Sequence, residues 1–365
     1  MRLTELHLRN FRNYEALDYM PAPHLNILVG ENAAGKTNIL ESIFYAALGK
    51  SHRTSRDAEL IRFEEGYASV KLSLDTTAGT RTIDIGLAKN EKKRLLVDGR
   101  RLERSGELMG CLNVVLFAPE DLTLVKEGPA ERRRFMNMAL SQQYPGYYYL
   151  LQAYNAALKQ RNALLKSDEV YPEEMYLPWE EQLADAGSRI THFRERFSGE
   201  LAKKAEEIHL RMTGGKERLD IRYLPCCEEL YEKEAFLNKL TETRRTDMFR
   251  GGTGTGPHRD DMGIEADGID LRKFGSQGQQ RTAALSLKLS EIELVKKITG
   301  NTPILLLDDV LSELDSNRQN YLINSINNIQ TLITCTGLDE FVNSRIVINK
   351  IFKVHDGTVT SNNNQ

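Results

Sequence analysis

Gly30-Glu31-Asn32-Ala33-Ala34-Gly35-Lys36-Thr37 satisfies G-x-x-x-x-G-K-[ST] at every fixed position. Each of those positions has a chemical reason if the ligand is a phosphate chain. The glycines let backbone N–H groups face anionic oxygens, Lys36 reaches the β- and γ-phosphates, and the Thr37 hydroxyl ligates Mg²⁺. A short apolar strand, 25–29, precedes the loop. A helix is expected over 36–48, closed by Gly49, and it aims its positive end at the phosphates. The expected binding set is Gly30, Glu31, Asn32, Ala33, Ala34, Gly35, Lys36 and Thr37 with the adjoining Asn38. An ordinary glycine turn is the plain alternative, and the flanking strand and helix speak against it.

Much later in the chain, Ile304-Leu305-Leu306-Leu307 has the continuous apolar character of a buried parallel strand, and it ends on Asp308-Asp309. A carboxylate there suits Mg²⁺, which makes Asp308 the second metal residue, and Asp309 is placed to polarise an attacking water. An acid that merely caps a loop is the bland reading; a phosphate loop in the same chain favours chemistry. Lys36 and Asp309 are therefore the expected catalytic pair, with ATP and Mg²⁺ as cofactors. Gly275-Ser276-Gln277-Gly278-Gln279-Gln280, ahead of an Ala/Leu-rich helix over 282–297, resembles the ABC signature L-S-G-G-Q. Ser276, Gly278 and Gln279 are kept, whereas Gly275 and Gln277 replace Leu and Gly. A hydroxyl and N–H groups at a helix start suit an anion as well as they suit a plain cap. Lys36 already serves the chain's own loop, so the second phosphate contact points to another subunit. Leu311-Ser312-Glu313-Leu314-Asp315 matches the D-loop position beside such a seam.

These pieces need a scaffold that joins the two ends of the chain. The expected fold is α/β: an ABC-type P-loop ATPase head, with a mixed sheet and an antiparallel β subdomain, carrying an inserted helical subdomain. Residues 1–120 and 246–365 form the head and 121–245 the insertion. In the insertion Leu183, Ile190, Phe193, Phe197, Leu201, Ala205 and Ile208 share one helical face, and core packing is its expected use. Strands are expected over 81–87 and 94–102, the latter turning at Asp98-Gly99, and over 331–334 and 346–354; the polar end 361–365 is expected to be unstructured. The chain has 365 residues, 40% hydrophobic and 28% charged, with no run long enough for a membrane span and no signal-peptide core. A cytoplasmic home follows as the expectation. Cys111, Cys226, Cys227 and Cys335 lack metal-ligand spacing. The net charge of −3 gives no general pull toward polyanions, and the local clusters around Lys92, Arg100 and Arg132 are weak evidence by themselves, becoming expected DNA contacts only with the DNA binding that the family resemblance below implies.

The opening Leu6-His7-Leu8-Arg9-Asn10-Phe11-Arg12-Asn13-Tyr14 is similar to the start of structural-maintenance and RecF ATPases. Phe117-Ala118-Pro119-Glu120-Asp121-Leu122 and Thr255-Gly256-Pro257-His258-Arg259-Asp260-Asp261 resemble segments of the RecF family of bacterial recombination mediators. In order and spacing these motifs cover nearly the whole chain. The resemblance implies an ATP-dependent homodimer that binds double-stranded DNA at single-strand gaps. It also implies partnership with RecR, with RecO and RecA downstream, in repair and replication restart. It places Arg12 near the phosphates, and Ser276 with Gly278 and Gln279 across the dimer; His258 and Arg259 stay open between a surface pair and a phosphate contact. Asp309 stands where transporter ATPases have Glu, and their switch His is missing near Thr336. The shorter carboxylate implies weak, DNA-stimulated hydrolysis that serves as a timer. The alternative is a transporter-type ATPase subunit, against which the opening, Asp309 and the helical insertion all count. Intact Lys36, Thr37 and Asp308 argue against a degenerate scaffold.

Overall fold

The computed structural model describes residues 1–167, 169, 171–337 and 348–362. They fall in two compact units, Met1–Asp121 with Val295–Gln365, and Leu122–Leu294.

In the first unit, apolar runs too short for helices pair as a six-stranded sheet. Its order is Thr358–Asn362, Lys350–His355, Leu25–Val29, Thr331–Cys335, Ile304–Asp308, Val114–Phe117. All neighbours are parallel except the edge hairpin made by 350–355 and 358–362. Ile304–Asp308 and Val114–Phe117 are buried at every position, as parallel strands covered on both faces must be. Leu25–Val29 sits centrally, so the 30–37 loop leaves the same sheet end as Asp308, two strands away, with Thr331–Cys335 between them. The expected unstructured end is corrected in part. Ser361 and Asn362 pair with Phe352 and Ile351, and 363–365 lie outside the described residues. Of the strand expected over 346–354, residues 346 and 347 lie outside as well.

A second six-stranded sheet is antiparallel, in the order Tyr14–Tyr19, Arg2–Phe11, Tyr67–Thr76, Gly79–Ala88, Arg94–Val97, Arg100–Arg101. Alternation sets its register: Ala68, Val70, Leu72 and Leu74 face the core while their neighbours do not. Asp98 and Gly99, both at positive φ, make the tight turn before Arg100.

In the second unit, helices Pro129–Gln143, Pro145–Lys166, Leu177–Met212 and Lys233–Arg250 surround an apolar core. The face expected from Leu183 to Ile208 packs there, with Leu183, Ile190, Leu201 and Ala205 fully buried. Strand Asp261–Ala266 pairs with Leu219–Leu224 over six registers. That pairing ties the chain beyond residue 245 to the helices, so the boundary drawn there from sequence falls inside the second unit, which runs on to Leu294.

A buried ion network holds three of these helices. Arg161, with no exposed surface, donates to Glu180 (3.1 Å), Asp247 (2.7 Å), the Thr253 hydroxyl (2.8 Å) and the Leu240 carbonyl (3.0 Å). Arg244 grips both oxygens of Glu180 at 3.0 and 2.6 Å. Two guanidiniums match two carboxylates, and removing one leaves buried charge uncompensated. Arg161→Met should therefore lower unfolding free energy by about 3–5 kcal/mol. Urea denaturation at pH 7 checks this; a loss within the scatter of ordinary surface substitutions would show that the network contributes little.

Candidate nucleotide site

The loop's geometry begins with what its glycines must avoid. A Cβ on Gly30 would lie 2.2 Å from the Val354 carbonyl oxygen, so strand packing itself forbids a side chain there. Gly35 has φ 115°, and a Cβ would meet Asn13 at 2.6 Å and the Tyr14 hydroxyl at 2.8 Å. Tyr14 Oη donates to the Gly35 carbonyl (3.1 Å) and Asn13 Nδ2 to the Ala34 carbonyl (3.1 Å), which hold the loop's carbonyls outward. The N–H groups of Asn32, Ala33, Gly35, Lys36 and Thr37 donate to no other described atom. A row of such donors at the start of helix Lys36–Leu48 is an anion cradle.

Lys36 folds back over that cradle, with Nζ 2.6 Å from the Gly30 carbonyl and 2.8 Å from that of Glu31. Burial draws its pKa below the ordinary amine range, against the opposing pull of Asp309, Cys335 and Asp308. Thr37 Oγ1 donates to Asp308 Oδ1 at 2.8 Å, joining residues 271 apart in the chain. Thr334 Oγ1 donates to the same oxygen at 2.7 Å and accepts the Asp309 N–H at 2.9 Å. Asp309 adopts φ 51°, a left-handed conformation that turns the chain sharply at the strand end. Thr334, which sequence reasoning missed, thus spaces the two aspartates.

The acids buried elsewhere in the described structure sit against an arginine or lysine: Glu41, Glu180, Asp247, Asp260 and Glu291. Asp308, 9% exposed, is held only by two hydroxyls. Hard oxygen donors around an unmatched charge fit a divalent cation. Among the described residues no group of three or more His, Cys, Asp or Glu could hold a metal. That suits a cation shared with phosphates and water, as Mg²⁺ is in nucleotide sites.

Arg12 lies beside Asn13 and Asn38, next to the loop. Its guanidinium pairs with both oxygens of buried Glu41 (2.8 and 2.7 Å) and donates to the Glu59 carbonyl (2.9 Å). Burial pushes the Glu41 carboxyl up. Hydrogen bonds from Arg12 and Ser51 and the charges of Arg12 and Arg53 outweigh that and leave it below its ordinary value. Arg12, Asn13, Asn38 and Arg53 line an open cavity of about 980 Å³ that extends to exposed Phe63.

In the second unit, Ser276 and Gln279 form a capping box. Gln279 N donates to Ser276 Oγ (3.2 Å) and Ser276 N to Gln279 Oε1 (2.9 Å). The Ser276 side chain is exposed and its O–H stays available to a ligand. Gly275 departs from the signature for a steric reason, since a Cβ there would lie 2.5 Å from the Leu271 carbonyl oxygen. Gln279 Nε2 donates to Glu217 (2.7 Å), whose other oxygen meets Nε2 of fully buried His209 (2.8 Å). Neither Glu217 nor His209 had been singled out. Within 311–315, Asp315 caps helix Ser316–Ser325.

One expectation needs correction, and His258, which the sequence leaves open, takes a definite place. Arg132 is buried and paired with both oxygens of Asp261 (2.6 and 3.0 Å), so it is not a DNA contact. His258 is structural. Nε2–H donates to the Thr253 carbonyl (3.0 Å), which leaves Nδ1 to accept from the Tyr154 hydroxyl (2.7 Å).

A model of the RecF/RecN/SMC N-terminal domain matches residues 2–360. The DNA replication and repair protein RecF of Lachnospira eligens is 48% identical over 367 residues, covering 100% of both chains. This chain belongs to the RecF family. RecF of Agathobacter rectalis is 46% identical, over 98% of this chain and 99% of that one. A solved structure of the recombination mediator RecF with ATP, from the RecFOR pathway, superposes with a TM-score of 0.91 at 35% identity, covering 99% of this chain and 97% of that one. An Smc head bound to the C-terminal winged-helix domain of ScpA shares the fold, with a TM-score of 0.58 at 16% identity over 99% and 97% of the two chains. The head is thus of the ABC-type ATPase class, in a family of replication and repair proteins that binds ATP. No helix of the described residues is long and apolar enough to cross a membrane.

Burial, aided by nearby Arg259, Arg133 and Arg194, lowers the His258 pKa from 6.5 to about 4. Above pH 6.5 the ring is neutral folded or unfolded, and its full contribution is present. Between 6.5 and about 4 only the unfolded chain takes up the proton, so stability should fall by on the order of 3 kcal/mol and then level off. Urea midpoints for the parent and His258→Gln between pH 7.5 and 4 test this: the parent's advantage should shrink as pH falls, and a pH-independent difference would refute it.

Proposed function

We propose that this chain is an ATP-driven switch on DNA. Two copies close around ATP, each nucleotide held between the 30–37 loop of one copy and the 276–279 segment of the other. The closed dimer holds double-stranded DNA beside single-strand gaps. The observation that carries this reading is Asp308, a buried carboxylate presented with the Thr37 hydroxyl at the mouth of an unsatisfied N–H cradle.

In this reading the N–H groups of 32–37 and Lys36 bind the phosphates, and Thr37 with Asp308 holds Mg²⁺. Bound there, the ion neutralises charge on the β- and γ-phosphates. Asp309, turned out of the strand by its left-handed backbone, orients water. Asn38 and Arg12 border the cavity left for the nucleotide, with Glu41 holding the Arg12 guanidinium beside the phosphates. From the partner copy, Ser276 brings an O–H that its cap leaves unused, Gly278 brings backbone, and Gln279 fixes the cap. Asp309 has one methylene fewer than glutamate and holds the attacking water less well, which supports slow turnover, and the switch reading has DNA stimulate it. Kinship with RecF of the RecFOR pathway supports RecR as partner, with RecO and RecA downstream, in the cytoplasm.

Lys36→Ala should weaken ATP binding roughly a hundredfold, the loss expected for a charge-assisted contact of about 3 kcal/mol. Ser276→Arg should bind ATP as the parent does, yet fail to reach twice the monomer mass with ATP and Mg²⁺. Light scattering with and without gapped DNA separates the two steps; a Ser276→Arg protein that still dimerises would end the split-site reading.

A further inference from the structure

Gly251-Gly252-Thr253-Gly254-Thr255-Gly256 leads from helix Lys233–Arg250 into the short turn Pro257–Arg259, and the nucleotide site makes no use of it. Buried groups fix its frame. Thr253 donates N–H and hydroxyl to Asn162 Oδ1 (both 2.8 Å), and Gly254 N–H goes to Asp247 Oδ1 (2.9 Å). Asp247 is itself gripped by Arg161. Gly256, at φ 142°, sits so close to Tyr154 that a Cβ would lie 2.2 Å from its hydroxyl. At the crest of this rigid loop, Thr255 has neither its N–H nor its hydroxyl bonded to any described group.

Three guanidiniums lie along this loop and the turn that follows it. Arg250 Nη1 lies 3.6 Å from where a Gly254 Cβ would be. Arg259 Nη2 is 3.3 Å from the Thr253 carbonyl, and Arg133 Nη1 is 2.7 Å from that of Asp260. None of the three forms an ion pair among the described residues. The adjacent acids are committed elsewhere: Asp260 to Arg194, Tyr223 and the Cys226 N–H, and Asp261 to Arg132. Like charges gathered beside an over-determined loop that carries donors without acceptors form a receptor for an anion. Arg250 and Arg259 are exposed, and the neighbouring Phe249 is 93% exposed, an aromatic ring beside cations as in surfaces that take nucleic acid.

We propose that this loop is a phosphate site for the DNA backbone, in which Thr255 donates N–H and O–H to a phosphodiester while Arg133, Arg250 and Arg259 neutralise it and its neighbours. The proposal rests on the DNA-binding reading above and gives it a location. A donor set with two exposed arginines and half-buried Thr255 and Arg133 suits a polyanion whose phosphates arrive in series, and the nucleotide loop, 30–37, is a separate segment.

The test uses the full chain with ATP and Mg²⁺, a fluorescent gapped duplex, and a salt titration. The Arg133→Ala/Arg259→Ala double variant should bind DNA about tenfold or more weakly, and its slope of log affinity against log salt should be shallower by about 1–2. Arg259→Lys should retain most of the affinity. Thr255→Val, nearly isosteric, should weaken DNA binding without shifting thermal stability, which separates the loop's donors from its fold. ATP binding should be unchanged in every variant. If the parent fails to bind DNA, the DNA reading itself fails. If the parent binds and the double variant matches it in affinity and slope, this proposal alone is overturned. A double variant that loses affinity for inorganic phosphate but not for DNA also overturns it, in favour of a small-anion site.

Discussion

A hydroxyl from residue 37 and a carboxylate from residue 308 meet at 2.8 Å, and most of the head is arranged so that they can. Parallel strands cannot be joined by tight turns, so each pairing needs a long crossover. Here the crossovers are long enough that the loop-bearing strand 25–29 lies between 331–335 and 350–355, both from the end of the chain. The first and last stretches therefore complete one sheet, and neither can build the site alone. A second compact unit can occupy 122–294 because the two sides of the site are joined by sheet hydrogen bonds rather than by chain continuity.

Close approach of backbone to backbone then decides the residue types. Gly30 has the Val354 carbonyl where its side chain would be, and Gly35 has Asn13 and Tyr14. These glycines serve the sheet and the opening motif as much as the phosphates. Asn13 and Tyr14 hold the loop carbonyls, which leaves the N–H groups pointing to where an anion would sit. The same logic explains Gly275, whose departure from the familiar signature is required by the Leu271 carbonyl.

What could be read from sequence was what chemistry fixes locally. The strand at 25–29, the helix at 36–48 and the strand ending at Asp308 follow from residue type over a few positions. Thr334 was invisible because one threonine in an apolar strand carries no mark; only the parallel register that seats it opposite Asp308 gives it meaning. Arg132 looked like surface because 132–134 are three arginines in a row, and its partner lies 129 residues away. The boundary near 245 was misplaced for a related reason. The strand at 261–266 continues a sheet begun at 219–224, and pairing between distant segments leaves no local trace. Glu41, on the loop's own helix, carries no local mark of its role, because Arg12 and Ser51, which enclose it, come from other segments.

Burial alone does not tell a structural carboxylate from a chemical one; the partner does. Desolvating a carboxylate costs several kcal/mol, and a fold that buries one normally supplies a guanidinium or ammonium to match it. Glu41, Glu180, Asp247, Asp260 and Glu291 all follow that rule, and all are spoken for by the fold itself. Asp308 breaks it. Two hydroxyls orient its carboxylate but bring no positive charge, while the Lys36 amine turns to loop carbonyls instead. A fold that met the cost of burying Asp308 with hydroxyls alone would be less stable than one that used an arginine. The arrangement makes physical sense if the missing charge arrives with the ligand, so that the head is electrostatically complete only when nucleotide and its cation are bound.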